Sequence, residues 1–156
     1  MVKLCENLMK ILSTNLGLQE DRLQNAFGGQ DEAGGCLRTS DEHVAGLQVR
    51  GSDDAWITVE PTPHALIVNI GDQIQMLNNS VYKSIEHKVN VNAANERLSL
   101  AFFYNPKGNV PIEPLKELVT VDTPALYTST TYDKYRQFIR TQGPRSKSHT
   151  DELRSP

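Results

Sequence analysis

The chain has 156 residues, a length that suits one domain burying roughly 68–70% of its unfolded surface. Sixteen Lys and Arg against nineteen Asp and Glu give a formal net charge of −3. The basic residues are scattered except near the C-terminus, so there is no electrostatic footprint for nucleic acid. No apolar run approaches the ~20 residues of a membrane span, and "MVKLCENLMKIL" is interrupted by Lys3, Glu6 and Lys10, which spoils it as a signal-peptide core. The expectation is a cytoplasmic protein with neither a nucleic-acid nor a membrane partner.

Val2, Leu4, Leu8, Ile11, Leu12 and Leu16 recur at three- and four-residue spacing, predicting an amphipathic helix that ends near Gly17. "LQEDRLQNAF" predicts a second, shorter helix closed by Gly28 and Gly29, so that residues 1–35 form a helical flank. Cys5 and Cys36 make neither a CxxC pair nor a disulfide framework and are expected to be thiols used in packing. From Gly46 the period changes to two. "GLQVR", "AWITVEP", "HALIVNIGD", "SIEHKVNV" and "RLSLAFFYNP" read as strands rich in β-branched and aromatic residues, within a β region over 36–127. "ALIVNI" is apolar on both faces, which predicts a strand covered on both sides, with the first helix as a plausible cover. "TYDKYRQFIRTQ" predicts a last helix over 131–141, and residues 142–156 contain so few apolar side chains that a disordered tail is expected. The fold class is mainly β with flanking helices.

Counting by two from Val81 puts Lys83, Ile85, His87, Val89 and Val91 on one face of an extended strand, so His87 is expected to face a core. In the next strand Arg97, Ser99, Ala101 and Phe103 share a face. A core-facing histidine is commonly a hydrogen-bonded structural residue, and an inward arginine commonly pairs with a buried acid. Together they suggest something else: an imidazole suits a transition metal, and a guanidinium beside a hydroxyl suits a carboxylate. A chelating organic acid would satisfy both.

The stretch "VNIGDQIQMLNNSVYKSIEHKVNVNAANERLSLAFFYNP" resembles the C-terminal half of the plant Fe(II)/2-oxoglutarate-dependent dioxygenases, closest to the jasmonate-induced oxygenases. Gly71, Asp72, Leu77, Asn79, Lys83, Ser84, His87, Arg97 and Ser99 carry the match, and the likeness extends to "GLQVR" and "YRQFIRTQGP". The resemblance implies a double-stranded β-helix, or jelly roll, here partial, spanning an incomplete domain over 1–141. It implies Fe(II) and 2-oxoglutarate as cofactors, His87 as an iron ligand, and Arg97 with Ser99 as the anchor for the far carboxylate of 2-oxoglutarate. The implied reaction is hydroxylation of a small plant metabolite. Arg136 and Arg140, four residues apart on the last helix, would bind the carboxylate of a small acidic substrate such as a jasmonate, and Phe103 would pack on its apolar body. A solvated helix face is the plainer reading of the two arginines.

The sequence departs from that pattern where the chemistry lies. Non-haem iron in such enzymes is held by two histidines and a carboxylate, and the family carries a His-x-Asp upstream of "GLQVR". Here "CLRTS" runs directly into "DEHVAGLQVR", so a segment is expected to be missing at Thr39 to Asp41. Asp41 and His43 have the right side chains in reverse order, but by the resemblance they belong to the turn leading into "GLQVR", and a polar loop is expected. His64, after Pro63, and His149, near the C-terminus, are not expected to be ligands. The competing expectation is a catalytically inactive truncated form, or pseudoenzyme, that binds a small acid or a partner protein.

Overall fold

A computed structural model describes residues 1–29, 37–40, 44–143 and 148–155. The chain opens with α1 (Val2–Asn15), whose Cys5, Met9 and Ser13 are buried at four-residue spacing. Gly17, at φ 74°, ends it as expected. The Ser13 hydroxyl accepts a bond from the Leu23 amide (3.1 Å), which ties α1 to α2 (Arg22–Ala26). Gly28 and Gly29 then turn the chain at φ 99° and 89°. A side chain at Gly28 would also meet the stem of Lys107 at 2.7 Å.

The described residues hold eight short strands: β1 (Leu37–Ser40), β2 (Leu47–Arg50), β3 (Trp56–Thr58), β4 (Ile67–Val68), β5 (His87–Val89), β6 (Ser99–Phe102), β7 (Pro111–Ile112) and β8 (Thr130–Thr131); β2 to β6 fall in the five stretches expected, and β1, β7 and β8 are additional. Two three-stranded antiparallel sheets run β4-β1-β6 and β3-β2-β5, and β7 pairs with β8. The antiparallel sheets and flanking helices are those of the partial jelly roll read from the sequence.

The core sits elsewhere than the strands suggest. Met9, Leu23, Phe27, Ile74, Met76, Leu77, Ile112, Leu115 and Tyr127 form one buried cluster, built from α1, α2, the segment 112–127 and α3 (Asp72–Leu77). The sequence reading missed α3, which hangs its apolar side on this cluster. By contrast the face that carries His87 is open: Val81, Ile85, Val89 and Val91 are exposed, Val91 at 98%. The "ALIVNI" strand is likewise not covered on both sides: Ile70 packs against the core cluster, but Leu66 and Val68 are exposed and a cavity lies between the strand and α1. These two expectations fail for one physical reason. Alternation tells which side chains share a face, and a face becomes a core only if a second layer lies on it.

The tail also differs from expectation. After α4 (Tyr132–Gln142), capped by the Thr131 hydroxyl and ended by Gly143 at φ 74°, residues 148–155 contain α5 (Ser148–Glu152). The Thr128 amide donates to the Leu153 carbonyl and the Ser155 amide to that of Leu126 (both 2.9 Å). Leu153 packs against the core and Thr150 is buried. One leucine and a few backbone bonds hold a stretch whose composition alone predicts disorder.

Candidate functional site

A cavity of about 600 Å³ opens between the helical layer and the sheets. One wall is the apolar face of α1, with Cys5, Leu8, Met9 and Leu12; burial pushes the Cys5 thiol up and keeps it protonated. The end of β4 and the start of α3 supply Val68, Asn69 and Asp72. His87 enters from β5, Phe103 and Tyr104 from just beyond β6, and Tyr132, Tyr135 and Ile139 from one face of α4. The wall is mostly apolar with a few polar groups, the usual make-up of a small-molecule pocket.

Of the residues expected from sequence to bind metal, cosubstrate or substrate, the structure brings His87 and Phe103 to this cavity. His87 is exposed, and its Nδ1 lies 3.4 Å from the Ile85 carbonyl. Arg97 points elsewhere: its Nε donates to the Val44 carbonyl (3.2 Å), and its side chain lies close against Gly46, where a Cβ would sit 3.2 Å from it. Ser99 is exposed on β6, opposite Ser40. Neither Arg97 nor Ser99 belongs to the cavity wall among the described residues. Arg136 and Arg140 are exposed on α4 beside the wall-forming tyrosines, and the Arg136 guanidinium rests 5.6 Å from the Tyr132 ring centre. Asp41 and His43 lie outside the described residues.

The sequence reading missed the most tightly held polar contact in the cavity. Tyr135 Oη donates to Asp72 Oδ2 at 2.5 Å, joining α4 to the first turn of α3. Burial, and then the charge of Asp72, push the Tyr135 phenol above the usual tyrosine range, so it stays a neutral donor. Because the folded phenol binds its proton more tightly than the unfolded one, its contribution to stability is complete below the ordinary value of 10.0 and is lost as pH rises above it. Tyr135→Phe is expected to lower stability by about 1.5–3 kcal/mol, the range for a hydrogen bond to a charged group. It is also expected to flatten the alkaline limb of a plot of melting temperature against pH, read by circular dichroism.

Residues 18–106 match the sequence profile of the 2OG-Fe(II) oxygenase superfamily. This chain belongs to that family. Jasmonate-induced oxygenase 3 of Arabidopsis thaliana is 72% identical to it across the whole chain and 51% of the relative's own length. Jasmonate-induced oxygenase 2 of the same plant is 52% identical, over 100% and 49%. Among solved structures, that of JOX2 in complex with 2OG, Fe and JA superposes with a TM-score of 0.92 at 52% identity, over 99% of this chain and 54% of JOX2. The rice dioxygenase for auxin oxidation gives 0.71 at 30% identity, over 77% and 41%. The chain thus spans about half the length of the curated relatives it matches. The alignments to both jasmonate-induced oxygenases run over 184 positions against the chain's own 156 residues. The difference, 28 internal positions, has no counterpart in this sequence.

Fe(II) and 2-oxoglutarate are the cofactors of the family. The donor set of the described residues does not fit the metal. Among them, no three His, Cys, Asp or Glu side chains converge. An iron held by two histidines and one carboxylate would find His87 at the cavity without such a set around it.

Proposed function

We propose that this chain is a catalytically silent member of the 2OG-Fe(II) oxygenase family that retains a pocket for a small apolar carboxylic acid, of which a jasmonate is the leading example. The observation that carries the reading is the pairing of a largely apolar cavity with, among the described residues, a single histidine on its wall and no cluster of three metal-ligating side chains. The absence of 28 internal positions found in relatives supports the loss of the other two. The likeness to JOX2, whose crystal structure holds JA, supports the choice of ligand.

The residues divide the task by chemistry. Phe103, Tyr132 and Ile139 offer apolar surface to a ring or pentenyl chain, and Tyr135, fixed by Asp72, holds α4 in place. Arg136 and Arg140, on the adjoining face of α4, supply the positive charge that would meet the carboxylate at the rim. Arg97, engaged with Val44, contributes nothing to that pocket.

Titration of the chain with jasmonic acid, followed by ligand-observed NMR, tests this. Saturable binding is expected, weakened about 10-fold or more by Arg136→Ala or Arg140→Ala, since a charge-assisted contact is worth roughly 1.5–3 kcal/mol. The methyl ester is expected to bind as weakly as the acid binds those variants. Equal binding of acid and ester, or none at millimolar concentration, would contradict the proposal.

A further inference from the structure

Strand β6 is the outer member of the sheet β4-β1-β6, and among the described residues no strand lies on its other edge. Proteins blunt such edges with charges, prolines or shortness. The other outer strands of the two three-stranded sheets are blunted in these ways. β4 has two residues, β3 is flanked by Asp53, Asp54, Glu60 and Pro61, and β5 contains Lys88 next to Glu86. Leu98 to Tyr104, in contrast, contains no charge, no proline and no glycine. It also holds large apolar side chains in solvent: Leu98 is 73% exposed, Leu100 65% and Phe103 57%.

We propose that β6 is a self-association edge, at which two copies of this chain pair antiparallel about a two-fold axis. A second copy is the occupant that the electrostatics favour. In an antiparallel pair of identical strands every residue faces a residue of the same stretch, and like charges directly opposite each other are destabilising. β6 has no charge to set against itself. The contact is isologous and closes at two copies. It satisfies the open backbone groups of both strands and removes Leu98 and Leu100 from water. The four-residue edge of β6 is only about 13 Å long, at the low end of interface size, so the pairing is concentration-dependent.

Sedimentation velocity over a range from about 5 to 200 µM, spanning the affinity of a small interface, reads this directly. The mass is expected to rise from 17.4 kDa toward twice that value and to stop there. Leu100→Lys, at a site already mostly in water, is expected to leave the far-UV spectrum unchanged and to weaken association at least about 10-fold by bringing a cation from each copy into an uncharged contact. Val121→Lys, at a 99% exposed position on another segment, is expected to change neither. In the unmodified chain, amide exchange over residues 98–102 is expected to slow as concentration rises. A mass that stays at one copy, growth beyond two copies, association indifferent to Leu100→Lys, or exchange at 98–102 independent of concentration would each overturn the proposal.

Discussion

Leu77→Ala is expected to cost about 2–5 kcal/mol, the range for deleting a buried leucine side chain, and so to consume a large part of a total that is only about 5–15 kcal/mol in ordinary domains. Leu77 is 1% exposed, sits in the cluster that joins α1, α2 and α3, and its carbonyl receives the Leu115 amide at 2.9 Å. Val91→Ala is the matched comparison. Alternation places Val91 on the same face as His87, yet it is 98% exposed, and its loss is expected to change stability by no more than about 0.5 kcal/mol, as for surface substitutions. Urea unfolding followed by circular dichroism checks both. A large loss at Val91 with a small one at Leu77 would place the core between the sheets instead of among the helices.

The parts of the fold that were legible in the sequence are those with a local signal. α1 announced itself by its apolar spacing and Gly17, α2 by Gly28 and Gly29, and α4 by its spacing before Gly143. Two things were not legible. α3 has six residues, too few for a helical period, and its Gly71-Asp72 entry reads equally well as a turn after a strand. Coverage of the strands was the other: the alternation around His87 is real, but whether a second layer lies on that face is not a local property of the strand, and Val81, Ile85, Val89 and Val91 are exposed. Within the site, His87 and Phe103 could be paired through the family pattern. The Tyr135–Asp72 bond spans 63 residues, and neither side chain signals the other locally.

The largest chemical effect concerns iron. Loss of even one outer partner of a metal ligand typically costs 10–100-fold in affinity or activity, and here two direct ligands have no counterpart among the described residues. The missing carboxylate matters most, because it alone would offset the charge of Fe(II). One imidazole, exposed to water on β5, competes poorly with the hydration shell of the ion. Among the described residues, Arg97 is turned to the Val44 carbonyl and Ser99 lies outside the cavity wall, so the pair expected to anchor 2-oxoglutarate is not assembled at the cavity. The measurement that bears most directly on this is 2-oxoglutarate-dependent O₂ consumption, with succinate quantified in parallel, at micromolar Fe(II) and with a jasmonate present. No consumption and no succinate are expected from the chain, with His87→Ala indistinguishable from it. Robust turnover that His87→Ala abolishes would contradict the silent reading and turn attention to Asp41 and His43 as substitute ligands.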